Sequence, residues 1–208
     1  MMTRRLPLFT IAAAGAVALA LACSSTSGPD QPSVVPPAGL TILRLQSSHP
    51  PLYSDSVSFM AVQGQGTEQT IYFADEDGKP GEEYLRFRLD AQSLLAYPDG
   101  TPFGPGDSVR ITLRVINPDS IYFQFDPAGL TFDPAHPARL TIKYGETGGD
   151  FNEDGHVNAG DTVIANTLAI WRQPEPADSF TRLQSVRVED QEEIQANLLG
   201  FSRYAIAY

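Results

Sequence analysis

The chain of 208 residues is 42% apolar and 19% charged, with a formal net charge of −11. That composition suits one globular domain with a sizeable core and excludes a disordered acidic tail, a collagen-like repeat and a polytopic membrane protein. So acidic a surface repels duplex nucleic acid and attracts divalent cations.

Met1 to Arg5 is a short basic stretch, and Leu6 to Ala22 is apolar and Ala-rich. This is the pattern of a signal peptide over 1–22, not of a mature membrane span. It ends Ala20-Leu21-Ala22-Cys23, and Cys23 is the single cysteine of the chain. A single cysteine has no internal disulfide partner. Residues 23–39 are rich in Ser, Pro and Gly without apolar periodicity, as a tether would be. A small residue before a lone cysteine, then a polar tether, resembles the bacterial lipoproteins. The resemblance implies a lipid on Cys23, a membrane anchored by it and a place in the cell envelope. Ser24 after the cysteine implies the outer membrane. Ala20-Leu21-Ala22 also satisfies an ordinary Ala-x-Ala cleavage site, so a secreted soluble protein is the alternative.

From Leu40 onward the apolar period is two, the period of a half-buried strand. Val57, Phe59 and Ala61 recur at every second position, as do Ile71 and Phe73, and then Leu85, Phe87 and Leu89. The clearest run is Ser108 to Val115, where Val109, Ile111, Leu113 and Val115 alternate with Arg110, Thr112 and Arg114. Further runs are Ile121-Phe123-Phe125, Leu140-Ile142-Tyr144, Val186-Val188, Ile194-Ala196-Leu198 and Tyr204-Ile206-Tyr208. Asp77-Gly78, Asp99-Gly100 and Asn117-Pro118-Asp119 separate them as turns. About ten strands with such spacing predict an all-β, antiparallel Greek-key β-sandwich over 40–208, with a closed barrel as the alternative.

The second half carries Phe125-Asp126-Pro127-Ala128-Gly129-Leu130-Thr131-Phe132, then Pro137-Ala138-Arg139-Leu140-Thr141-Ile142, and closes on Phe201-Ser202-Arg203-Tyr204-Ala205. Over about 107–208 this resembles the ZU5-like β-sandwich segments of bacterial surface proteins. The resemblance implies a structural or interaction module with no catalytic residues to carry over.

One stretch carries chemistry. Residues 150–161 place Asp150, Asn152 and Asp154 at positions 1, 3 and 5 of a twelve-residue calcium loop, with Gly155 at position 6. His156 at position 7 would offer its backbone carbonyl, Asn158 at 9 its side chain directly or through water, and Asp161 at 12 a closing carboxylate. Calcium takes six to eight hard oxygens, so alternate side-chain oxygens around a tight turn are the arrangement it needs. Val157 at position 8 is expected to anchor in the core. The loop resembles a dockerin calcium repeat, which also favours Asp at position 12. A dockerin has two such loops, however, and carries partner-reading hydroxyls where this chain has Ala159 and Gly160. After the loop, a helical turn is expected from Thr162 to about Asn166, with Asp161 as N-cap, followed by a strand through Arg172.

The remaining polar residues carry less. His49 and His136 each precede a proline and read as surface turns. Asp75, Glu76, Asp77, Glu82 and Glu83 read as a solvated hairpin tip. Trp171 reads as a buried core residue. No zinc-protease, nucleophile-elbow, phosphate-loop or dinucleotide motif is present. The expectation is a non-enzymatic, lipid-anchored envelope module with one structural Ca2+, acting in adhesion, scaffolding or ligand binding. The alternative is a dockerin-like or carbohydrate-binding module that recruits a protein or polysaccharide partner. A polysaccharide hydrolase ranks third.

Overall fold

The structure, a computed structural model, describes residues 34–208. The stretch read as a signal peptide, Cys23 and residues 24–33 of the stretch read as a tether lie outside the described residues. Among the described residues, fourteen strands and one α-helix follow in order. They are β1 (Val34–Val35), β2 (Ser56–Val62), β3 (Thr67–Ala74), β4 (Pro80–Leu89), β5 (Leu94–Ala96), β6 (Ser108–Val115) and β7 (Tyr122–Asp126). Then come β8 (Thr131–Phe132), β9 (Ala138–Lys143), α1 (Ala159–Ala165), β10 (Ala169–Gln173), β11 (Phe180–Arg182), β12 (Ser185–Val188), β13 (Glu193–Leu198) and β14 (Arg203–Ala207).

The strands form a seven-stranded sheet in the order β1-β11-β10-β14-β7-β6-β2 and a five-stranded sheet in the order β12-β13-β9-β4-β3. A small β5–β8 pair lies apart from both. Every pairing between named strands is antiparallel. The fold is therefore the expected all-β sandwich. Late strands slot between early ones, β14 beside β7 and β13 beside β9, so the two halves of the chain interleave.

Alternation assigns the faces. In β6, Ile111, Leu113 and Val115 are buried while Arg110 and Arg114 are exposed. The inward residues of both sheets meet in one aromatic-rich layer. Phe125 and Phe201 meet edge to face at 5.6 Å, as do Phe132 and Phe201 at 5.1 Å. Such pairs contribute about 0.5–1.5 kcal/mol each beyond the area they bury. Truncating any of these rings to Ala would cost about 3–5 kcal/mol.

Two local details depart from simple alternation. The β3–β4 register shifts after Ile71, so that Tyr72 faces Glu83. The bulge lets both Tyr84 and Leu85 point inward although they are adjacent. On the outer face of the seven-stranded sheet, Trp171 is 5% exposed in a second cluster with Phe180 and Ala207, covered by Val35, Leu40 and Ile42. Its indole Nε1 donates to the Ala207 carbonyl at 3.0 Å. Val34–Val35, from the stretch read as tether, pairs with β11, so the last tether residues belong to the sheet and shield the tryptophan.

Candidate metal centre

The loop from Asp150 to Asp161 joins β9 to α1. Gly148 and Gly149, at φ of 70° and 79°, turn the chain out of the short 3-10 turn after β9. Gly155, at φ 87°, makes the sharp bend at position 6, in a region that costs a side chain strain. Glu153 is also left-handed, at φ 58°.

Inside this frame the side chains bond to the backbone they enclose. Asp150 accepts the N–H of Asp154 at 3.1 Å and of Gly155 at 2.8 Å. Asn152 Oδ1 accepts the Asp154 N–H at 3.0 Å, and Asp154 Oδ1 accepts the His156 N–H at 2.9 Å. The amides of Asn152 and Asn158 both donate to Asp154 Oδ2, at 3.1 and 3.0 Å. Asn158 also donates to the His156 carbonyl at 3.0 Å. Positions 3, 5, 7 and 9 of the loop thus converge on one another.

Asp161 closes the loop from the other side. It is 2% exposed, and its carboxylate accepts three backbone N–H groups: Phe151 at 2.8 Å, Asn152 at 3.2 Å and Asn158 at 2.8 Å. The Asn158 N–H chiefly, with those of Asn152 and Phe151, holds its carboxyl below the usual aspartate value despite its burial. Asn158 in turn accepts the Gly160 N–H at 2.7 Å, completing a capping box at the start of α1.

Three expectations are corrected here. The helix starts at Ala159, earlier than Thr162, and its N-cap is Asn158, with Asp161 as the reciprocal carboxylate of the box. Val157 is 69% exposed, not anchored in the core. The loop interior is filled by carboxylates and amides, so position 8 meets no apolar surface, and Phe151 at position 2 packs on the core instead. His49 is no exposed turn residue: its ring lies half-buried 6.2 Å from Phe73, with Nε2 3.8 Å from Asp119. The acidic hairpin tip is as expected for four of its residues, with Asp75 accepting the N–H groups of Asp77 and Lys79. Glu83 instead turns onto the face of the five-stranded sheet.

The donor set suits a hard cation. All the groups at positions 1, 3, 5, 7, 9 and 12 offer oxygen, and of the three aspartates Asp154 is exposed and Asp150 half-buried. A carboxylate has about four lone-pair sites, and the bonds to Asp161 use three. Among the described residues, no three His, Cys, Asp or Glu side chains gather into a metal-holding group by themselves. Oxygens from Asn152, Asn158 and the His156 carbonyl would have to complete the set.

Two groups at the site carry no signal in the loop sequence. The hydroxyl of Tyr208, the last residue, donates to the Phe151 carbonyl at 2.8 Å. Arg44 pairs with Glu153 at 3.6 Å across a cleft of about 640 Å³ that runs beside the loop past Gln46 and His49. Only the sandwich topology brings 40–49 and Tyr208 to the loop.

No family model matches the chain, and neither a curated protein nor a solved structure does.

Proposed function

We propose that the chain is a non-enzymatic, lipid-anchored module of the bacterial cell envelope whose Asp150–Asp161 loop holds one structural calcium ion. The observation that carries the reading is the convergence of the Asn152 and Asn158 amides on Asp154 Oδ2, with the Asn158 amide also donating to the His156 carbonyl. The two amides give that oxygen the positive polarity that a divalent ion supplies more strongly. Asp150, Asn152, Asp154, Asn158 and Asp161 would hold the ion through side-chain oxygens, and His156 through its carbonyl.

The ion would supply positive charge to a segment with four carboxylates in twelve positions, Asp150, Glu153, Asp154 and Asp161. It would fix the long connection between β9 and β10. Extracellular calcium modules work at dissociation constants of about 0.1–1 mM, so weak binding suffices outside a cell. The Cys23 anchor and the outer-membrane location rest on the leader sequence.

Stacking of sugar rings on exposed aromatics gains no support, since Trp171 and most phenylalanines are buried. Calorimetric titration of the purified chain with calcium should give one site per chain, lost in Asp150→Ala. Fatty-acid labelling in a bacterial host should be lost in Cys23→Ser. Absence of the first signal removes the calcium, and absence of the second removes the anchor.

A further inference from the structure

The outer face of the five-stranded sheet gathers three arginines on an acidic chain. One row of aligned residues crosses it from Thr70 through Arg86, Thr141 and Gln195 to Val186. The next row runs from Glu68 through Arg88 and Arg139 to Asn197. Rows two residues apart lie about 6.8 Å from each other, and five strands span about 19 Å. Between the rows is a trough of about 220 Å³, with Thr141, 3% exposed, at its floor and three arginines, Arg86, Arg88 and Arg139, against one carboxylate, Glu68, and Gln195 as walls.

Arg88 and Arg139 are direct cross-strand partners. Like charges placed opposite one another destabilise a sheet. Arg86 has Glu83 at 3.4 Å and Arg88 has Asp90 at 3.4 Å. Arg139 makes no ion pair among the described residues. Three guanidinium forks therefore face one trough on a chain of net charge −11. Guanidinium forks match carboxylates in bidentate fashion.

We propose that this face binds a linear, carboxylate-bearing polysaccharide laid across the strands, with a uronate carboxylate at Arg88 and Arg139. Charge complementarity selects the anion. The hydroxyl and amide groups of Thr70, Gln195 and Asn197 along the rows match a polyhydroxylated chain. The trough offers no free strand edge for a peptide backbone, since β4, β9 and β13 are each paired on both sides. The proposal rests on the reading of the chain as a cell-envelope module, but it does not involve the calcium loop.

The test is titration of the purified chain with a short oligogalacturonate in the presence of a chelator, so that the calcium site plays no part. Saturable binding is expected, weakened about tenfold or more in Arg88→Gln/Arg139→Gln and lost for the methyl-esterified oligomer. Arg110→Gln, on the other sheet, should leave it unchanged. The double variant should melt no lower than wild type, because it relieves a like-charge pair. Three results would overturn the proposal: no binding, equal binding by the double variant, or equal binding of polyglutamate. The last would make the face a reader of charge alone.

Discussion

Tyr208 donates its hydroxyl to the Phe151 carbonyl at 2.8 Å, tying the end of the chain to the second residue of the acidic loop. The backbone of Tyr208 also exchanges two hydrogen bonds with Thr41. The loop is thus fastened to the segment that covers Trp171 as well as to its own strands. Tyr208→Phe removes the bond and leaves the ring in place. It should cost about 1 kcal/mol in chemical denaturation and weaken calcium binding in a titration. An unchanged calcium affinity would show that Tyr208 does not position the loop.

Asp161 should make the loop end sensitive to acid. Its folded carboxyl is held below the ordinary aspartate value, chiefly by the Asn158 N–H. A lowered pKa adds stability that is complete above the unfolded value of about 3.9 and is lost as pH falls through the folded value. Asp161→Asn should therefore lower the melting temperature at neutral pH, with the gap to wild type closing in strong acid. A gap independent of pH would mean that the carboxylate charge is not what the three N–H groups read.

Glu83 should behave in the opposite sense. Burial beside Glu193 and Glu68 raises its pKa, outweighing Arg86 and Lys143, and its Oε1 has no hydrogen-bond partner. A raised carboxyl pKa makes the charged form a burden on the fold above the folded value. The burden disappears below the unfolded value. Glu83→Gln should raise the melting temperature at neutral pH and leave it unchanged near pH 3. A fall at neutral pH would show that the 3.4 Å pair with Arg86 matters more than desolvation.

The long strands were legible because their pattern is local. Val109 to Val115 needs only its own alternation to be read. The two- and three-residue strands β1, β5, β8 and β11 are too short to show a period, and only their partners define them. Tyr84 escaped for another reason: the bulge at Ile71–Tyr72 inverts the phase of β4, and no turn residue announces it. In the loop, the spacing of Asp150, Asn152, Asp154 and Gly155 predicted the bend at Gly155. It misplaced Val157 and the helix cap. Both depend on Asp161 folding back over Phe151 and Asn152, a contact across nine to ten residues. The arginine trough was invisible for the same reason, since Arg88 and Arg139 meet only through the β4–β9 register.

The calcium claim is tested most directly by thermal melts of the purified chain with chelator and with saturating calcium, beside Asp150→Ala. A ligand at a hundredfold over its dissociation constant adds about 2.7 kcal/mol to the folded state. For a chain of this size each kcal/mol moves the midpoint by about 2–4 °C. The account predicts a rise of that order in wild type and none in Asp150→Ala. An equal midpoint with and without calcium in wild type would contradict it and leave the loop an acidic cap on α1.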